Sequence, residues 1–301
     1  MKNNKPLIIT LICLLSIIVL FFITFLIFAL KGGLGGLKNF RFDFNDKAST
    51  NLLLEKEYDN NFTDIKINVD SSDIEIKRNT NNNIKTMIYG DEDKLKKHDV
   101  KNDGGILEVN VENKKCIGFC FNRKSKLVIY IPENFDKNII INNNYGDIKV
   151  ESFNNAKLDI EEDCGDVIIE SASEINVKNN YGDIEINNAN NAKVEEECGD
   201  VKIGTVNNLN VRNSYGYIII KKINKYLDIK DDCGDIKIDT ISLTENSKIV
   251  NDYGDIRINN IKDVYIDAKT DLGDVKINNN YHKSDITLKI ENDCGDIEIE
   301  N

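Results

Sequence analysis

Beyond residue 50 the chain alternates aliphatic and polar residues in short runs, and the runs recur. "LDIEEDC" (Leu158–Cys164) sets Leu158 and Ile160 on one face, and "GDVIIE" (Gly165–Glu170) sets Val167 and Ile169 together. The same layout returns in "INVKNNYGDIEI", "LNVRNSYGYIII", "LDIKDDCGDIKI" and "VYIDAKTDLGDVKI". Alternating β-branched residues bounded by Asn, Asp and Gly predict β-strands. No stretch after residue 30 has a strong 3.6-residue period, so little helix is expected there.

The runs are copies of one unit. Its glycines are Gly146, Gly165, Gly182, Gly199, Gly216, Gly234, Gly254, Gly273 and Gly295, at steps of 17 to 22 residues. A fixed period of this kind signals a stacked architecture. A hairpin sandwich would also give many short strands. A β-solenoid explains more, because equivalent residues then stack at about 4.8 Å per rung. One unit carries too few aliphatics to fold alone, so stacking must supply its missing contacts. The fold expected is all-β: a right-handed single-stranded β-helix, the hand following from the crossover preference of parallel strands.

The residue before each glycine flips. In order it is Tyr145, Cys164, Tyr181, Cys198, Tyr215, Cys233 and Tyr253, after which the rhythm slips to Leu272 and Cys294. Two positions earlier, Asn143, Asn179, Asn213 and Asn251 accompany Tyr, while Glu162, Glu196 and Asp231 accompany Cys. With one unit per rung, this predicts an inward ladder in which large and small residues interdigitate. With two units per rung, Cys would stack on Cys, and bridging or metal capture would open up. Packing is the favoured reading.

After the glycine comes an acid: Asp147, Asp166, Asp183, Asp200, Asp235, Asp255, Asp274 and Asp296. Gly suits a turn with φ above zero, and Asp can cap backbone N–H groups there. A column of acids could instead gather cations. Lys149, Lys202, Lys237, Arg257 and Lys276 lie two residues after five of them and offer relief from like-charge repulsion. The calcium-binding pattern G-G-x-G-x-D is absent, and capping is the preferred role. No cofactor and no metal site is expected.

The beginning of the chain differs. Leu7–Leu30 contains no charged residue. As a helix it would be roughly 36 Å long, enough to cross a bilayer. A cleaved signal peptide would have a shorter apolar core and an A-x-A-like exit. The segment therefore predicts an uncleaved transmembrane anchor. Residues 1–6 would form a cytoplasmic tail, 31–50 a flexible Gly-containing neck, 51–136 an irregular β section and 137–301 the regular solenoid. Basic residues flank the anchor on both sides, and the short tail most simply stays in the cytoplasm while the rest is exported. The formal net charge of −12 argues against nucleic acid as a partner.

The section before the regular ladder reads "DIKINVDSSDIEI", then "GGILEVNV", then "LVIYIPEN", and Ser72–Asp73 replaces Gly-Asp in its one degenerate unit. In this order, and followed by the "GDIxI" units, these motifs resemble the bacterial "putative adhesin" β-strand-repeat family of unknown function, over roughly 62–301. The resemblance implies an envelope-associated protein, often downstream of a membrane segment and in some members linked to envelope-stress signalling. It implies no catalytic residues. The strict Tyr/Cys alternation is not part of the family pattern.

Other chemistry is sparse. Cys116 and Cys120 form a C-x3-C pair, readable as a local disulfide or as two buried free thiols. A zinc site would need a second Cys/His pair, which is missing. His98 and His282 are isolated, so no hydrolytic triad is supported. Three functions remain. The first is a non-catalytic, membrane-anchored envelope protein whose extracellular solenoid serves adhesion or binds a protein or cell-wall ligand. The second is an accessory component of an envelope-stress sensor, bound to a neighbouring membrane protein. The third is a polysaccharide-active enzyme, for which units this short leave little room for site-bearing loops. The expected partners are the lipid bilayer, through residues 7–30, and an unidentified envelope protein or cell-wall ligand. The last strand, "CGDIEIEN", is expected to form an open terminal rung, either guarded by Glu298 and Glu300 or used for end-to-end self-association.

Overall fold

The alternating runs of the sequence become strands, and each strand leans on the next copy of itself. The computed structural model describes residues 51–114, 125–278 and 284–300. Its elements are β1 (Leu52–Asp59), β2 (Asp64–Val69), β3 (Ser72–Asn79), β4 (Asn83–Tyr89), β5 (Leu95–Asp103), β6 (Ile106–Asn113), β7 (Ser125–Pro132) and β8 (Asn138–Asn143). The long strands β9 (Ile148–Cys164), β10 (Val167–Tyr181), β11 (Ile184–Cys198), β12 (Val201–Tyr215) and β13 (Ile218–Cys233) follow. Then come β14 (Ile236–Ile241), β15 (Ser247–Tyr253), β16 (Ile256–Ile261), β17 (Tyr265–Leu272), β18 (Val275–Ile277), β19 (Thr287–Cys294) and β20 (Ile297–Ile299). The fold is an all-β solenoid with no helix among the described residues. The anchor expected over 7–30, the neck and the Cys116/Cys120 pair lie outside those residues. No described helix is long and apolar enough to cross a membrane.

One unit makes one rung. β9 to β13 pair in parallel, with Val167 against Ile148 and Ile184, and Val201 against Ile184 and Ile218. The aliphatics therefore form continuous internal columns. Ile148, Val167, Ile184, Val201, Ile218, Ile236, Ile256 and Ile297 are all at 0% exposure. Phe153, the largest side chain in the regular part of the core, is also fully buried. This stacking of one column on the next supplies the burial that a single unit lacks.

Spatial order departs from chain order at both ends. The degenerate unit β2–β3 sits directly before β8–β9: Ile65 pairs with Ile139 and Ile74 with Ile148. Its other side is covered by β6 and β7, which the chain reaches later. Antiparallel strands then close that end, β5 on β6, β4 on β7 and β1 on β4. At the far end β19 and β20 insert between β15–β16 and β17–β18. The expectation of an open C-terminal strand is thus corrected. β20 is internal, and Glu298 is bonded to Arg257 at 2.9 Å rather than guarding an edge. Among the described residues the outermost rung at this end is β17–β18, with Ile266 on Leu288 and Ala268 on Ile290 of β19.

Candidate functional site

The Tyr/Cys positions stack as one column but face outward. Tyr181 is in register with Cys164 and Cys198, Cys198 with Tyr215, Cys233 with Tyr253, and Cys294 with both Tyr253 and Leu272. Tyr145, Tyr181, Tyr215 and Tyr253 are 57–62% exposed, and Cys164, Cys198 and Cys233 are exposed free thiols. The expected inward ladder is therefore corrected. Strict alternation would put Tyr181 inside with Val177 and Asn179, but alternation holds only while the strand runs straight. The chain turns at Gly182 (φ 136), and Asn179, fully buried, takes the inside of the corner.

Asn179 belongs to a second column, which is polar and buried. It runs Asn143, Glu162, Asn179, Glu196, Asn213, Asp231, Asn251 and Asn292, each at or below 4% exposure. The Asn side chains donate to the corner carbonyls: Asn179 Nδ2 reaches Gly165 O and Gly182 O, both at 3.2 Å. The acids instead accept. Glu162 takes Asn143 Nδ2 at 2.7 Å and the Cys164 N–H at 3.1 Å, and Asp231 takes Asn213 Nδ2 at 2.9 Å. Burial pushes the carboxyls of Glu162, Glu196 and Asp231 up to about 7. Several buried oxygens accept nothing: Oδ1 of Asn143, Asn179, Asn213, Asn251 and Asn292, Glu196 Oε2 and Asp231 Oδ2. A proton on Glu196 turns one orphan acceptor into a donor, with Asn179 and Asn213 in register on either side. From Asn143 to Asn251 the change from Asn to acid at every second rung gives the corner alternate donors and acceptors, and Asn292 beside Asn251 ends the alternation.

The Asp column caps backbone across rungs. Asp147 Oδ1 accepts the Asp166 N–H at 3.2 Å, Asp166 that of Asp183 at 2.9 Å, and Asp183 that of Asp200 at 3.0 Å. Asp235, Asp255 and Asp296 continue the series to Asp274. Asp73 of the degenerate unit starts it by holding the Asp147 N–H. Lys202 spans Asp183 and Asp200 at 3.0 and 3.6 Å, the relief expected there. Arg257 turns to Glu298 instead. The corner glycines, Gly146, Gly165, Gly182, Gly199, Gly234, Gly254, Gly273 and Gly295 among them, stack so closely that a Cβ on most would meet the carbonyl of the glycine in the adjoining rung. At Gly165, Gly199 and Gly234 this approach, and not a left-handed φ, demands glycine.

Elsewhere on the solenoid a groove of about 630 Å³ runs over several rungs. Leu158, Ile175 and Leu209 line it beside Lys157, Glu174 and Tyr226. No described group of three or more His, Cys, Asp or Glu gathers as a metal site. His98 sits on β5, in register with Val111 of β6. The buried acids are the residues that sequence reading undervalued. Their signal was the change in step with Tyr and Cys.

A family model described as Toastrack DUF4097 matches residues 62–202 and 193–301. No curated protein matches. Among solved structures, a "putative adhesin" from Bacteroides fragilis has 16% identity, covers 83% of this chain and 98% of its own, and gives a TM-score of 0.48. A "putative adhesin" from Parabacteroides merdae has 13% identity and a TM-score of 0.43, covering 84% and 98%. A "putative lipid binding protein" from Parabacteroides distasonis has 15% identity and a TM-score of 0.41, covering 83% and 98%. At these scores the likeness carries neither ligand nor activity to this chain.

Proposed function

The chain belongs to the Toastrack DUF4097 family, a domain of unknown function, and from this premise we propose a non-catalytic, membrane-anchored envelope protein. Its solenoid is displayed outside the cell and contacts a partner protein or a cell-wall ligand. The apolar, uncharged segment Leu7–Leu30 supports the anchor. The observation that carries the binding role is the single file of four tyrosines, each more than half exposed, on alternate rungs of a rigid scaffold. Exposed aromatic side chains in a row are costly to leave in water and are favoured at contact surfaces. Tyr brings large contact area with few rotors to freeze. The rung spacing holds them about 9.6 Å apart.

The test uses intact cells producing the full chain. Protease added outside is expected to cleave the solenoid while a cytoplasmic marker stays whole. Cells carrying Tyr145→Ser, Tyr181→Ser, Tyr215→Ser and Tyr253→Ser together are expected to lose attachment to purified cell-wall fragments, or capture of a membrane partner by cross-linking. A solenoid protected until lysis overturns the display. Unchanged attachment and capture overturn the tyrosine surface.

A further inference from the structure

The two ends of the stack are finished differently. At the start, antiparallel strands cover β6 and β7. At the far end β17 and β18 pair with β19 and β20 on one side, and no described strand pairs with the other. Leu288, Ile290, Ile297 and Ile299 of the covered rung are at 0% exposure. Val275 and Ile277, stacked on Ile297 and Ile299, are 40% and 39% exposed, and Leu272 is 70% exposed. Unpaired backbone beside open apolar positions is a template for a further strand.

The sequence of β17 says which strand fits. The Tyr265 N–H is committed to Ile286 O at 2.8 Å. By alternation, the backbone groups of Ile266, Ala268 and Thr270 turn to the open side. A second copy of β17, laid antiparallel about a two-fold axis at Ala268, sets Ala268 on Ala268 and Ile266 on Thr270 as hydrogen-bonded pairs. Asp267 then falls opposite Lys269 of the second copy, twice, at the closely spaced positions where side chains interact most. An axis at residue 267 would oppose Asp267 to itself, and one at 269 would oppose Lys269 to itself. Lys269 has capacity to spare: it lies 3.3 Å from Glu291, which Lys248 and Lys289 already hold at 2.7 and 3.0 Å. A two-fold contact uses the same patch on both copies and closes as a dimer. We propose that two copies of this chain join tail to tail through β17, Asp267 of each paired with Lys269 of the other.

The experiment measures the mass of the full chain in detergent by sedimentation over a range of concentrations. A monomer–dimer equilibrium is expected. Asp267→Lys or Lys269→Asp alone sets like charges opposite one another and is expected to raise the dimer Kd by about tenfold or more. The double reversal Asp267→Lys/Lys269→Asp is expected to restore it. Both side chains are exposed, and an unchanged β-sheet circular-dichroism spectrum confirms that each variant folds. Ile277→Glu, which charges the same open end, is expected to weaken the dimer as well. A chain that stays monomeric throughout, a Kd indifferent to either single reversal, or a double reversal that restores nothing overturns the proposal.

Discussion

Asp200 donates its backbone N–H to Asp183 Oδ1 of the preceding rung across 3.0 Å. The carboxylate gains from this contact, and the Asp200 amide, with the Lys202 ammonium beside it, holds Asp183 below the usual carboxylate range. Asp183→Ala is expected to cost about 1–2 kcal/mol. The series breaks once, at Tyr217, which stands where the carboxylate beneath Asp235 would be. Tyr217 is 53% exposed and loses little on replacement. Tyr217→Asn is expected to restore the cap without adding charge and to stabilise by about 0.5–1 kcal/mol. Denaturant midpoints of the two variants check both signs. A destabilising Tyr217→Asn would show that the cap at that rung has no energetic value.

The buried acids predict how stability depends on pH. Glu162, Glu196 and Asp231 titrate near 7 in the folded chain, against ordinary values of 4.5 and 3.8. A carboxyl whose folded value is raised holds its proton more tightly when folded. Stability therefore falls as pH rises from about 4 through 7, by roughly 1–3 kcal/mol per group after allowing for solvent screening at the corner. Glu291 behaves oppositely. Lys248 first, then Lys289 and Lys269, lower it to about 2, so its contribution is present above 4.5 and lost as pH falls toward 2. The optimum is expected at mildly acidic pH. Glu162→Gln with Glu196→Gln keeps shape and supplies an amide donor, and is expected to flatten the slope between pH 5 and 8. Chemical denaturation across that range decides; an unchanged slope would remove the acids from the account.

The 17-residue step of the sequence carries the register of β9 to β13 directly, because one unit is one rung and period-2 alternation fixes which aliphatics enter the core. The same alternation misleads at the corner. Extended two residues past Asn179, it puts Tyr181 inside, where the turn does not. Rung order is legible only where neighbours in sequence are neighbours in space. Nothing local in Asp64–Asn79 says that Ile74 will lie against Ile148. The far end left a trace: the unit around Gly273 has Leu272 for Tyr or Cys, Ala268 for a larger aliphatic and Thr270 for Asn. A unit that stops matching its neighbours marks a rung with fewer of them.

The corner glycines predict a sharp contrast. A Cβ at Gly199 would run into the carbonyl oxygen of Gly182, which is backbone and fixed from both sides by rung pairing. Gly199→Ala is expected to cost about 3 kcal/mol. Gly104 lies in a turn at φ 60 with open space around its Cβ direction, so Gly104→Ala carries only backbone strain, about 1 kcal/mol. Thermal unfolding of the pair separates close approach from φ as the cause.

The cysteine column makes the last prediction. Cys164, Cys198, Cys233 and Cys294 each have a tyrosine rung between them, which sets adjacent thiols about 9.6 Å apart. A disulfide needs Cα atoms within about 7 Å. Bridging two of them would require removing a rung, with the loss of its columns of buried aliphatics. No two of the four are therefore expected to bridge within one folded chain, even under oxidising conditions. Cys164, Cys198 and Cys233 are exposed and Cys294 is partly covered, so a soluble alkylating reagent should modify the first three ahead of the fourth. Peptide mapping after timed labelling reads both statements. A disulfide joining any two of the four within one chain would mean that rungs hold two units, and the stacking described for Tyr and Cys would have to be abandoned.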